Sequence, residues 1–554
     1  MKRKYIYIIL FAIVLLAAGL RLWQLGHVPP SPDWDEVALG YDAYSIIHTG
    51  RDEYGKFLPV VLRSFDDYKP ALYAYLIIPS VLLFGLDLFA VRLPSAVFGV
   101  ISVIAVFYLI RELFERYKYR DHLALLTSFL LAISPWSIQF SRVGFEANVG
   151  DALNILAALF FLKGLKKPWI LFLSAFFAGA SIYVYQSEKV FTPLLVLALV
   201  VIYRKKLFSV SWIKLLEVVI FGLLVVMPMV LYITTNKRAL LRVKGTIVFS
   251  QETVLLQNDI QKLVRDKKNN DLIGKIFDNR RIVYVKTVLG GYLVHYDPNW
   301  LFITGDNSRH HAPNMGILYI FEFPFILIGI YMLIFGEFDR KTKVAIFAWF
   351  LLAPVPASVT TGVPHAVRTL NFLPTWQIFS AIGIITAFQK ISNVKLKILN
   401  FKLWKLFVIC YLLFVLLNIS YYLDQYFVQL NYYTSADWQY GYKQAVSEVK
   451  KIGRNYKQIV VSDRSPLDKS YMFFLFYLKY PPAKYQVIGR YSSGGYASHH
   501  YFGKYVFHPI DWQKDSQKKD VLYIGTPAEI PASANLIETI YNLDGTPAIR
   551  IAGT

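Results

Sequence analysis

Long apolar runs recur along the first 425 residues of this chain, and no other feature restricts its fold as strongly. A bilayer core about 30 Å thick takes roughly 20 apolar residues per helix, and without water the backbone must satisfy its own hydrogen bonds there. The runs predict about eleven membrane-spanning helices, near 5–25, 91–111, 123–140, 149–163, 169–186, 191–203, 212–235, 316–336, 344–360, 370–388 and 404–422. An odd number puts the two chain ends on opposite sides. Composition agrees: 55% of the residues are hydrophobic and 17% charged, against about a quarter charged in soluble domains, which excludes a soluble enzyme. The formal charge of +22 is assigned to cytoplasmic loops facing anionic lipid, not to a nucleic-acid partner. Cys410 is the single cysteine, so there is no intrachain disulfide, and a structural metal would need His and carboxylate ligands.

Lys and Arg set the orientation. The basic start (Lys2, Arg3, Lys4) and the short loops carrying Arg111–Arg120, Lys163–Lys167, Arg204–Lys206, Arg340–Lys343 and Lys390–Lys402 all face the cytoplasm together, provided that residues 71–86 do not span. That stretch is short and holds Pro79, which predicts a juxtamembrane helix in the outer interface. The N-terminal run is read as a retained anchor, not a cleaved signal peptide. Two large segments then lie outside: 26–90, whose first part (26–70) holds eight acidic and four basic residues, and 236–315. The tail, 426–554, loses the long runs. Short β-rich pieces (458–462, 521–525, 548–552) alternate there with helical patterns, which predicts a small extracytoplasmic α/β domain after a membrane domain of 1–425.

The densest polar constellation is SPDWDEVALGYDAY, which brings Asp33, Asp35, Glu36 and Asp42 to the outer membrane surface. Grouped carboxylates there can deprotonate an acceptor hydroxyl or hold a cation, or simply cap a helix, with Asp33 as N-cap. Next comes SFDDYKP, where Asp66, Asp67 and Lys69 lead into the juxtamembrane helix; a lysine beside a helix N-terminus can hold a lipid phosphate, and the plain alternative is headgroup snorkelling. Arg92 opens the next span on the outer side, against the positive-inside bias. Outer turns carry Arg142 with Glu146, Glu188 with Lys189, and His365 with Arg368, either as surface decoration or as a polar cavity floor. Arg309, His310 and His311 precede the eighth span; adjacent histidines point apart on a helix, so loop hydrogen bonding is favoured over a joint metal site. Every marked cluster faces one side.

These residues resemble the polyprenyl-phosphate-dependent GT-C glycosyltransferases, the superfamily of protein O-mannosyltransferases and the lipid A aminoarabinose transferase. The resemblance covers about residues 1–425 and rests on Asp35-Glu36, Lys69-Pro70, Arg92 in RLPSAVFG and the Arg142 to Glu146 turn. It implies a GT-C fold, a lipid-linked sugar donor and inverting transfer. By resemblance Asp35 is the general base, and Glu36 orients acceptor or sugar. Lys69 matches the lysine that meets the lipid phosphate in the aminoarabinose enzyme, where mannosyltransferases commonly carry His-Pro-Pro. Arg92 matches an important mannosyltransferase arginine, and Glu146 stands near a second family carboxylate. The large MIR insertion of eukaryotic protein mannosyltransferases has no visible counterpart. A polyprenyl phosphate leaves without protonation at neutral pH, so one base and a cationic cradle suffice. Arg142, Lys189, His365 and Arg368 are expected to complete that cradle on the strength of their shared side.

The expected partners are therefore a polyprenyl-phosphate sugar donor, membrane lipids, and a lipid, polysaccharide or protein acceptor. No motif establishes a cofactor, and a divalent metal stays open. The rival class is a polyprenyl-lipid or solute transporter, which tends to place ionisable groups near the midplane and to show repeated halves. Neither feature is visible here. A membrane scaffold whose tail binds a partner is the remaining alternative.

Overall fold

The computed structural model describes residues 2–65, 67–236, 245–250, 254–393, 401–489 and 500–554. Asp66 and the stretch containing Lys395 and Lys397 lie outside them. Each expected apolar run coincides with helix: α1 (Arg3–Leu22), α4 (Leu88–Leu113), α5 (Arg120–Ile133) with α6 (Pro135–Ser141), α7 (Ala147–Gly164), α8 (Leu171–Ser181), α9 (Glu188–Leu207), α10 (Trp212–Thr235), and the later helices Phe323–Phe335, Arg340–Leu352, Thr375–Asn393 and Phe401–Asp424. Among the described residues, five are long and apolar enough to cross a bilayer by length and composition, or six if the pair interrupted at Ser134 is one span. Several of the others are shorter than the runs suggested: Phe323–Phe335 and Arg340–Leu352 have 13 residues each. Two of the long helices show the apolar exteriors that a bilayer requires. Leu223 and Leu224 on α10 and Leu416 and Leu417 on Phe401–Asp424 are all exposed, an arrangement that is costly in water and neutral in lipid.

Between α1 and α4 lie α2 (Trp34–Thr49), the hairpin β1 (Val61–Ser64) and β2 (Asp67–Pro70), and α3 (Leu72–Phe84). The 13 residues of α3 reach about 20 Å, short of a bilayer core. The segment expected as the second large loop folds into helices of its own, Val254–Lys268, Leu272–Phe277 and Arg280–Leu293.

The chain divides into two compact units. One comprises Met1–Leu10, Ser102–Trp136 and Gly150–Phe414. In it Phe323–Phe335 packs tightly on Thr375–Asn393, where glycines let the backbones approach: a Cβ on Gly329 would fall 1.9 Å from the Phe379 carbonyl oxygen, and one on Gly383 2.0 Å from that of Phe325. Small residues at such crossings are how helices pack in lipid, where no hydrophobic drive holds them together.

The other unit comprises Phe11–Ile101, Ser137–Val149 and Val415–Thr554, so the first loop and the tail share one body. The tail contains β3 (Gln458–Val461), β4 (His500–Phe502), β5 (Tyr505–Phe507), β6 (Val521–Gly525), β7 (Leu536–Tyr541) and β8 (Pro547–Gly553), forming a mixed sheet in the order β4-β5-β3-β6-β8-β7 among the described residues. β3 runs parallel to β5 and β6; the other pairings are antiparallel. Val460, Val521, Tyr523 and Ala552 build its core with Ile510 and Ile530. Helix Ser470–Leu478 packs on α2, where a Cβ on Gly40 would come 2.8 Å from the Phe476 ring. Tyr41 donates to the Tyr480 carbonyl at 2.9 Å, and the Gln486 amide donates to Ser45, Thr49 and the Asp52 carbonyl.

Candidate active site

Helix α2 starts where it does because Asp33 and Glu36 form a capping box: Asp33 accepts from the Asp35 amide at 2.8 Å, and Glu36 accepts from the Asp33 amide at 2.9 Å. Glu36 is fully buried, and its carboxylate also takes a bidentate pair from Arg92, at 2.8 and 3.0 Å, and the Gly144 amide at 2.7 Å. Arg92, itself fully buried, spends its other donors on the carbonyls of Leu25, Pro29 and Ser31. Each charge is thereby compensated where water is absent.

Asp35 has a different environment. Its side chain is 28% exposed and ion-paired with Lys69, which is 6% exposed. Lys69 stands on β2 opposite Leu62 of β1, one residue before Pro70 ends the strand and three before α3 begins. The tail adds Lys469, whose ammonium lies 4.8 Å from the centre of the Trp34 ring and 5.4 Å from that of Phe65. Burial lowers the Lys469 pKa below the usual lysine range, while Asp468, Asp35 and Asp33 draw it the other way. Sequence reasoning missed this residue: SPLDKSY carries no motif, and only the docking of the tail brings it to α2.

Arg142 donates to the carbonyls of Leu20, Arg21 and Val28 and lies over Phe427 at 4.8 Å and Tyr426 at 5.6 Å. Burial lowers its pKa. Glu146 is buried two residues beyond Gly144. The structure thus brings Asp35, Glu36, Lys69, Arg92, Arg142 and Glu146 into one unit.

Lys189, His365 and Arg368 belong to the other unit. Lys189 donates to Gln186 at 2.7 Å at the start of α9. Its neighbour Glu188 is fully buried and accepts from Asn371, Asn154 and Ser187. Arg368 donates to the Thr360 hydroxyl and the Thr361 carbonyl at 2.6 Å each. His365 faces His310, with ring centres 5.1 Å apart. His310 pairs at 2.9 Å with Asp306, which also accepts from the Ala366 amide at 2.6 Å. Burial works to raise the Asp306 pKa, but the hydrogen bond and charge of His310 hold it at about 2. Asp306 was not singled out from the sequence; its i, i+4 spacing to His310 was the available signal. His311, by contrast, turns to the Ala312 carbonyl.

The sequence profile described as dolichyl-phosphate-mannose-protein mannosyltransferase matches residues 68–232, a stretch that includes Lys69, Arg92, Arg142, Glu146 and Lys189 but not Asp35 or Glu36. No curated protein matches the chain significantly. Among solved structures, ArnT from Cupriavidus metallidurans in the apo state is 12% identical, with 100% of each chain covered and a TM-score of 0.54. The same protein bound to undecaprenyl phosphate gives 11%, 100% of each chain and 0.52. The archaeal oligosaccharyltransferase AglB from Archaeoglobus fulgidus, in complex with an inhibitory peptide and a dolichol-phosphate, is 13% identical over 86% of this chain, with a TM-score of 0.49; the chain spans 64% of its length. Residues 68–232 are thus similar to the mannosyltransferase family, and the chain as a whole shares the fold of ArnT.

Proposed function

We propose that this protein is an inverting glycosyltransferase that takes a sugar from a polyprenyl-phosphate donor at the outer face of the cytoplasmic membrane and passes it to an acceptor hydroxyl, with Asp35 as general base. The observation that carries this reading is the division of labour at the start of α2. Asp33 and Glu36 are committed to the capping box and Glu36 to Arg92, which leaves Asp35 as the partly exposed carboxylate beside a buried lysine. Arg92, Glu36 and Arg142 are positioning residues: they fix the loop that presents Asp35, through carbonyls and each other. Lys69 meets the donor phosphate. A phosphate drawing Lys69 away releases Asp35 from its ion pair, and a released carboxylate accepts a proton better than a paired one. Lys69 then stabilises charge on the departing phosphate, with Lys469 as a second cation in reach. The undecaprenyl phosphate in the ArnT complex supports a lipid-phosphate donor class.

The test uses the full-length protein in detergent with a panel of polyprenyl-phosphate sugars, and follows released polyprenyl phosphate. Asp35→Asn is expected to lower kcat by about 10²–10⁴-fold, as loss of a general base does. Lys69→Ala should lower it by about 10²–10³-fold, as loss of a charge-stabilising group does, and raise the donor KM. Turnover retained in folded Asp35→Asn removes Asp35 as base; no turnover with any donor removes the transferase reading.

A further inference from the structure

The geometry points to a divalent metal site of the zinc class in the unit that holds α9, formed by Asp306, His310 and His365 and tying the 297–318 segment to the 361–368 turn. An oxygen of Asp306 and one ring nitrogen from each histidine all lie within 4.8 Å of one another. In a tetrahedral zinc shell with bonds of about 2.0–2.1 Å, the ligand atoms sit roughly 3.3 Å apart, so side-chain adjustments of about 1 Å close the shell. The donor set fits the ion: two imidazoles select zinc and its transition-metal neighbours over calcium or magnesium, which prefer all-oxygen shells. Three protein ligands leave a fourth position for water.

The surroundings support the assignment. His365 Nδ1 is buried and has no hydrogen-bond partner among the described residues, an exception that calls for an explanation. Asp306 and His310 side chains are 10% and 12% exposed, so the site is sheltered. Neighbouring imidazoles are already committed: His295 contacts the Gly291 carbonyl through Nδ1 and the His365 amide through Nε2, and His311 contacts Ala312. His295 also fixes the backbone that carries His365, as outer-shell groups do around metal ligands. Arg368 directs one guanidinium nitrogen to Thr360 and Thr361.

The test loads full-length protein in detergent with zinc, removes excess, and measures bound metal by mass spectrometry and the visible spectrum after cobalt substitution. About one metal per chain and a tetrahedral cobalt spectrum are expected, both lost in His310→Gln and His365→Gln and both kept in His311→Gln. Where a variant does not fold, X-ray absorption at the zinc edge of the wild type decides, with imidazole scattering in the first shell expected. No stoichiometric metal in the wild type, retention by folded His365→Gln, or a shell without imidazole overturns the site. All these readouts are independent of glycosyl transfer.

Discussion

Arg92 and Glu36 are both fully buried and bound bidentately, so neither can lose its partner without leaving an uncompensated charge. Glu36→Gln or Arg92→Leu is expected to cost about 3–5 kcal/mol, read as a fall in melting temperature in detergent. Arg92→Lys should not rescue it, because one ammonium cannot replace a fork serving Glu36 and three carbonyls. A second buried acidic group gives a pH prediction. Burial, with Asp42 and Asp52 nearby, holds the Glu53 carboxyl well above the usual range. Below about pH 4 the folded and unfolded chains both carry that proton; as pH rises, the unfolded chain ionises first and stability falls, by up to about 1.4 kcal/mol per pH unit. Glu53→Gln should therefore raise the melting temperature at pH 8 and leave it nearly unchanged at pH 4; an equal gain at both would exclude the ionisation account.

At the scale of elements, the two reciprocal glycines between Phe323–Phe335 and Thr375–Asn393 decide how those helices cross. A side chain at Gly329 meets the backbone of the facing helix, which cannot rotate away. Gly329→Leu is predicted to separate the pair and cut the yield of monodisperse protein, whereas Gly19→Leu, with nothing within 4 Å of its Cβ position, should be tolerated. The α2 capping box illustrates the same point from sequence. Asp33 three residues before Glu36 is a recognisable helix start, and the cap is what the structure shows: Asp33 and Glu36 form the capping box, and Asp35 between them is the proposed base.

For the whole molecule, the proposed orientation rests on basic loops facing the cytoplasm, and it can be read with one label. Cys410 is the single cysteine, so Cys410→Ser gives a clean background. Asp544→Cys, in an exposed turn of the tail, should react with an impermeant maleimide in intact cells, and Lys118→Cys, in the exposed loop after α4, only after permeabilisation. The opposite pattern would invert the topology and move the site to the other face. Deleting the tail should abolish transfer even with the helices retained, because α2 would lose Phe476, Tyr480 and Gln486 and the site would lose Lys469.

Much of this protein follows from order along the chain. The apolar runs determine where helices lie, because a bilayer admits little else. Asp33 with Glu36 was legible because the two partners are three residues apart, and the β-rich pieces of the tail were legible from their own composition, although their strand partners lie tens of residues away. What lies far apart in sequence was decided by tertiary structure. That Arg92 closes on Glu36, that Lys469 reaches Trp34 from more than 400 residues away, and that His365 meets Asp306 and His310 all depend on packing between distant segments. A shared membrane side, inferred from charge, narrows which groups can meet. Only the contacts that bury a charge determine which of them do, because a buried charge must find its partner and an exposed one need not.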